Sequence, residues 1–259
     1  MAKQEIEANL GIIIHQIRRD HPTMSLRAMY YKINPHNLGR DAFEQLAKEL
    51  GYKTELKRRS SRTTDSSGVV RFENYLNGLN LTGLNQAFSS DITYFEVNDV
   101  FYYLTFVIDC YSRKVLGHSV SETLHTQYTT LPALKQAIKL RGKEFPKGVI
   151  FHSDGGGQYY AKCFLELTKK YEMKNSMCEM AYENGKAERL NGIIKNNYLK
   201  HWQINTLKEL IKSVDRAVAL YNQGKPHKKL NYKTPEQFEI EILNLQKRTK
   251  PMMTKSFDA

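Results

Sequence analysis

Three acids carry the chemical promise of this chain: Asp91, Asp154 and Glu188. Asp91 sits inside an alternating run, SSDITYF, that reads as a strand. Asp154 closes an apolar run and meets glycines in VIFHSDGGGQY. Glu188 lies in ENGKAERLNGIIKNNYL, which reads as helix. Taken singly, each has a plainer explanation. Aspartate is merely uncommon in strands, an Asp at a strand end is ordinary turn chemistry, and a helical Glu is normally a solvated surface residue. Together, carboxylates on two strands and a helix suit two magnesium ions, which prefer carboxylate oxygen and water. Two such ions stabilise both the attacking and the leaving oxygen when a phosphodiester is displaced.

Around these acids several neighbours have two readings. Glu188, Asn191 and Lys195 are spaced i, i+3, i+7 and share a helix face. Either Asn191 and Lys195 meet a nucleic-acid end beside the acids, with Lys195 against a phosphate, or the face is simply solvated. Lys186 and Arg189 flank Glu188 in the same basic stretch; residues 183–233 hold 11 Lys/Arg and 4 Asp/Glu. His152 stands two positions before Asp154, so a strand would point both to one side. It either orients substrate or is a buried structural histidine. Gln158 and Tyr159 either contact nucleic acid or shape their loop. Gly155–Gly157 lets backbone approach closely, but without a following Lys-Ser/Thr it is no nucleotide-binding loop. Asp109, in VIDCYSR, reads as a structural acid serving a turn through Ser112 or Arg113. Phe101, Tyr102, Tyr103 and Phe106 read as sheet core.

The elements that must position these residues follow from periodicity. Helices are expected over residues 4–20, from Ser25 to Ile33 with Ser25 as N-cap, and from Arg40 to Leu50 with Gly51 as C-terminal cap. Three short helices suit a helix-turn-helix-like domain over residues 1–59, with Arg40, Lys57, Arg58 and Arg59 as DNA-facing cations. The alternative is a helical adaptor that touches no DNA. Residues 60–83, rich in Ser, Thr, Gly and Asn, read as a linker with a short helix near Val69–Leu76. Strands are expected at Phe88–Val97, Phe101–Asp109, Lys114–Ser121, Gly148–Ser153 and Asn175–Cys178. Helices are expected at Gln127–Leu140, Lys162–Tyr171, from Lys186 to a break at His201–Asn205, at Leu207–Tyr221 and at Pro235–Leu245. Three strands followed by alternating helix and strand make residues 84–245 an α/β unit with a mixed sheet. Residues 246–259 read as a basic tail.

Bulk composition narrows the class. The 259 residues carry a formal charge of +12, which favours a polyanionic partner. Hydrophobic residues make up 41%, enough for a packed core. No apolar run approaches the roughly 20 residues of a spanning helix, and the N-terminus is not built as a secretory signal. The three cysteines, Cys110, Cys163 and Cys178, show no zinc spacing and suit a cytosolic protein with reduced thiols.

SSDITYFEVNDVFYYLTFVIDCYSRKVLGHSV, VIFHSDGGGQY and ENGKAERLNGIIKNNYL together resemble the integrase core of bacterial insertion-sequence transposases. The nearest likeness is to OrfB, the second-frame protein of the insertion-sequence-three family. YNQGKPHKKLNYKTP, from Tyr221 to Pro235, is similar to another stretch of that family. The resemblance spans roughly residues 10–240. It implies a ribonuclease-H-like fold and a DDE triad of Asp91, Asp154 and Glu188 as catalytic and metal-binding acids. It implies two magnesium ions per site, or manganese in their place. It further implies terminal inverted repeats and target DNA as partners, a homodimer or larger assembly, and an upstream-frame helix-turn-helix protein (OrfA) joined by frameshifting. A bacterial cytoplasmic, nucleoid-associated location follows. Phe88 stands near the family's usual Trp, and Lys225 replaces the Arg before Pro-His. The 33 residues between Asp154 and Glu188 are a slightly shorter spacing than the family's. A DNA-binding regulator that does not cut, and a nuclease that does not join, are the rival functions.

Overall fold

A computed structural model describes residues 3–53, 72–142, 145–178 and 181–249. It opens with α1 (Lys3–Asp20), α2 (Leu26–Ile33) and α3 (Arg40–Glu49). The Ser25 hydroxyl accepts the Ala28 N–H at 3.3 Å and caps α2. Asn34 stops α2 in a left-handed conformation, φ 48°. Gly51, φ 81°, ends the third helix in the conformation that costs glycine least. Ile14, Met29, Phe43 and Ala47 close completely into this unit's core. Each large apolar side chain buried there contributes about 1.5–3 kcal/mol.

The remaining chain builds a five-stranded sheet: β1 (Ala87–Val97), β2 (Val100–Asp109), β3 (Val115–Ser121), β4 (Ile150–Ser153) and β5 (Lys174–Met177). Its order is β3-β2-β1-β4-β5. The first three strands form an antiparallel meander, and β1–β4 and β4–β5 are parallel. Asn98 and Asp99, φ 49° and 63°, form the two-residue turn between β1 and β2. Two positive φ values match the strand twist at such a hairpin. Helices α4 (Thr130–Arg141) and α5 (Lys162–Lys170) carry the chain between β3, β4 and β5. Then follow α6 (Gly185–Asn197), α7 (Leu207–Ala219) and α8 (Pro235–Thr249).

Alternation along the strands divides the core in two. Tyr102, Leu104, Phe106 and Ile108 face Leu190 and Ile194 of α6 and Leu210 and Val214 of α7. Phe88, Val107 and Phe151 face Ala133, Leu134 and Ala137 of α4 and Phe164 of α5. The sheet is therefore sandwiched between helices. Among the described residues no helix is long and apolar enough to cross a membrane.

Several expectations need correction. Phe101 is half exposed, packing edge-on against equally exposed Tyr94, because it lies at the turn end of the hairpin, paired with Glu96. No helix forms in residues 72–76, the described part of Val69–Leu76. There the Asn74 side chain accepts the Leu76 N–H at 3.1 Å, a local turn that competes with helical pairing. The final helix runs to Thr249, into the stretch expected as tail. Residues 54–71, holding half of the expected linker, and residues 250–259 of the tail lie outside the described residues.

Candidate active site

Strand alternation puts Ser89, Asp91 and Thr93 of β1 on the face that α6 covers. A row of contacts runs from that face. Ser89 Oγ donates to Asn184 Oδ1, and Asn184 Nδ2 donates to the Ser90 carbonyl at 2.9 Å. Asn191 Nδ2 donates to Asp91 Oδ2 at 2.8 Å. Lys195 Nζ donates to Thr93 Oγ1 at 2.7 Å and reaches the Tyr94 carbonyl at 3.3 Å. Its ammonium also lies 5.2 Å from the Tyr94 ring centroid, within cation–π range. Every second strand residue thus meets a polar residue at the start of α6 or on one of its faces. These contacts fix the helix that presents Glu188 against the strand that presents Asp91.

Asp154 arrives from the other side of β1. Because β4 pairs in parallel with β1, with Ser89 opposite His152, the end of β4 lies beside Asp91. The Gly156 N–H donates to Asp154 Oδ1 at 3.2 Å and orients the carboxylate. A Cβ on Gly156 would stand 3.1 Å from that oxygen, and one on Gly155 would stand 2.7 Å from Met177 Cε. Glycine therefore leaves room for the acid and for the strand beside it.

The electrostatics tie the three acids together. Burial, then the charges of Asp154 and Glu188, push the Asp91 carboxyl up to about 7. Burial also raises Asp154. Glu188 is raised by burial and then by the charge of Asp154, although its side chain stays exposed. Three like charges sharing a site repel one another, and hard divalent cations offset that repulsion with the oxygen donors present. No group of three or more His, Cys, Asp or Glu side chains among the described residues closes to metal-holding distance. Coulombic influence reaches farther than ligation, so the acids are neighbours without forming a closed cluster.

Other expected contact residues have different places. His152 is fully buried, its Nδ1 3.0 Å from Ser176 Oγ. Burial lowers its imidazole to about 4, and its side chain is enclosed between β1 and β5. Tyr159 is likewise buried, its hydroxyl 2.9 Å from Ser90 Oγ. Asn191 is buried too and serves Asp91 instead of an exposed surface. Gln158 is half buried, and its carbonyl accepts the hydroxyls of Thr126 and Thr130 at 3.2 and 3.3 Å, a loop-shaping role. Lys186 is half buried and Arg189 exposed. Arg40 is exposed and paired with Asp41 at 2.8 Å. Lys57, Arg58 and Arg59 lie outside the described residues.

Asp109 holds a separate, structural network. It accepts the backbone N–H groups of Asn85, Tyr111 and Ser112 at 2.8–2.9 Å and pairs with Arg141 at 3.3 Å. Arg141 in turn pairs with Glu239 at 2.6 Å. Asn184 is the positioning residue that sequence reasoning did not single out. Its signal was present as the Asn of ENGKAE, four residues before the glutamate.

With this geometry in view, comparison with known proteins is specific. The family described as Integrase core domain matches residues 82–182, and a second family of the same description matches residues 169–235. An insertion element IS600 uncharacterized 31 kDa protein of Shigella sonnei is 31% identical over 206 residues, covering 78% of this chain and 75% of that one. Transposase InsF for insertion sequence IS3A of Escherichia coli K12 is 30% identical over 162 residues, covering 61% of this chain. The match spans 55% of InsF, about half its length. A simian T-cell lymphotropic virus intasome, solved in complex with PP2A regulatory subunit B56 gamma, shares the fold. Its matched chain gives a TM-score of 0.58 at 16% identity, covering 87% of this chain and 72% of its own length.

Proposed function

Because this chain belongs to the insertion-sequence-three family of transposases built on an integrase core, we propose that Asp91, Asp154 and Glu188 cut and rejoin DNA at the ends of an insertion sequence. Transposition by this family is a polynucleotidyl transfer on DNA. Water breaks a phosphodiester at the element end and leaves a 3′ hydroxyl. That hydroxyl attacks a second phosphodiester in line, one P–O bond forming as another breaks. No covalent bond to the protein is needed. The substrates in this reading are terminal inverted repeats and target DNA. Two ends must be held together, so a homodimer or larger assembly acts, and an upstream-frame helix-turn-helix partner joined by frameshifting belongs to the same reading.

Asp91, Asp154 and Glu188 would hold two magnesium ions, or manganese, which when bound neutralise charge on the attacking and leaving oxygens. The protein's own part is to hold the acids in register. Asn191 fixes one oxygen of Asp91, and the Gly156 N–H fixes one of Asp154. Glu188 stands exposed in the first turn of α6, free to meet substrate. Lys195, anchored to Thr93 two positions beyond Asp91, brings a cation to the same edge for a phosphate.

The observation that carries this reading is geometric: β4 ends beside Asp91, and α6, which bears Glu188, is tied to Asp91 by the 2.8 Å bond from Asn191, while burial and the other two charges raise the Asp91 carboxyl. Among the described residues, Asp91 on β1, Asp154 just past β4 and Glu188 on α6 have none of the arginine pairing that gives Asp109 its structural use. The test is magnesium-dependent cleavage and joining of duplexes carrying the inverted repeats, compared between the wild type and Asp154→Asn. The variant should lose both reactions by about 10³-fold or more while keeping DNA affinity. Cleavage that persists in Asp154→Asn would remove the acid from the mechanism.

A further inference from the structure

Between the N-terminal helices and the catalytic core lies a cavity of about 600 Å³. Eight of its lining residues are Lys or Arg, and one, Glu44, is acidic. That acid is already committed to Arg27 at 2.7 Å. The helical unit contributes Arg27, Lys48 and Lys53, and the core contributes Arg113, Arg189 and Lys225. Arg113 occupies the turn before β3 with φ 62°, which fixes where its side chain departs. Among the described residues, Arg113, Arg189 and Lys225 have no carboxylate partner within 4 Å. Burial lowers Lys225 below the usual lysine range, and burial, Lys225 and Arg113 lower His227 to about 3. Uncompensated cations thus converge around a half-buried floor of Arg113 and Lys225, and an anion is the group that would offset them.

One helix joins this cavity to the acids. On α6, Asn191 and Lys195 turn toward β1, meeting Asp91 and Thr93, while Arg189 and Ile193, one turn apart, line the cavity. A polyanion seated in the cavity would therefore lie against the same helix that carries Glu188. We infer that this groove is a phosphate-tracking site that clamps the DNA backbone between the N-terminal helices and the core, with Arg113 and Lys225 as its floor. The inference rests on the proposed DNA reaction for the identity of the polyanion. It assigns the helical unit a role as one wall of that clamp. Lys225, in the departure GKPH, is then a cation with a task at this position.

The test is fluorescence anisotropy with a labelled duplex of about 30 base pairs carrying the element end, in EDTA, over a series of salt concentrations. Arg113→Gln with Lys225→Gln should weaken binding by about tenfold or more and lower the slope of log affinity against log salt by about 2. Lys208→Gln with Lys212→Gln removes the same charge from the exposed face of α7 and should change affinity less than about threefold. Arg113→Lys with Lys225→Arg should restore binding, which separates loss of phosphate contact from loss of folding. Equal weakening by both charge-removing pairs, or no rescue, would overturn the groove. Since no metal is present, the result does not depend on the acids: intact groove binding with no magnesium-dependent reaction would sink the catalytic reading alone.

Discussion

The residue scale shows how the protein stores charge in the site and spends structure to hold it there. Asp91 has a folded value of about 7, above its ordinary 3.8. A carboxyl raised in this way contributes stability that is fully present below the unfolded value and is lost as pH rises through 7. In metal-free buffer, Asp91→Asn should therefore melt higher than the wild type at pH 8, by about 5 °C, and the gap should close toward pH 4. Magnesium should raise the wild-type melting temperature and leave the variant's unchanged. Differential scanning calorimetry at the two pH values reads both effects. Asn191 acts one step back. Asn191→Ala leaves Asp91 without its 2.8 Å donor, and should raise the magnesium needed for half-maximal cleavage by about 10–100-fold. Excess magnesium should recover most of the rate, because in the proposed reaction Asn191 touches Asp91 and not the reacting atoms.

Elements place these residues by packing, and here the sequence was most informative. Alternation in SSDITYFEV marked β1, because a period of two is a local property. The three acids were legible for the same reason, each standing in a local pattern. What periodicity could not supply was cover. His152 and Asp154 share a side by strand spacing, yet β4 lies between β1 and β5, and Ser176 closes over His152. Asn191 shares a helix face with Lys195, yet that face is pressed on Asp91, so a reading by helix alone made it a surface residue. Close approach of β3 to α4 was equally hidden. A Cβ on Gly117 would stand 2.0 Å from the Ala133 carbonyl oxygen and 2.9 Å from the Ala137 nitrogen, both backbone atoms. Gly117→Ala should cost about 3 kcal/mol or more in urea unfolding, because neither element can move aside without opening the core beneath α4.

The whole molecule is tied together where the N-terminal helices dock on the C-terminal elements. His21 Nδ1 meets the Tyr198 hydroxyl at 3.0 Å, Lys32 Nζ donates to the Gly224 carbonyl at 2.9 Å, Arg216 pairs with Asp20 at 2.7 Å, and Tyr31 stacks on Tyr232 at 3.9 Å. Burial, then the charge of Lys32, lowers His21 to about 4, so it docks neutral. A histidine depressed in the folded state contributes stability that is present above 6.5 and is lost as pH falls toward 4. Deuterium uptake in α1 and α2 should therefore rise across that window, and less so in His21→Asn, which keeps an acceptor for Tyr198. Loosening this docking opens the basic groove but leaves the acids in place, so binding should fail before chemistry does. Of the three acids, Glu188 is the one whose spacing departs from the family. Its decisive test is single-turnover strand transfer by the full chain with magnesium on pre-cut element ends, wild type against Glu188→Gln. Joining should fall by about 10³-fold or more with DNA affinity unchanged. Joining at the wild-type rate in Glu188→Gln would contradict it.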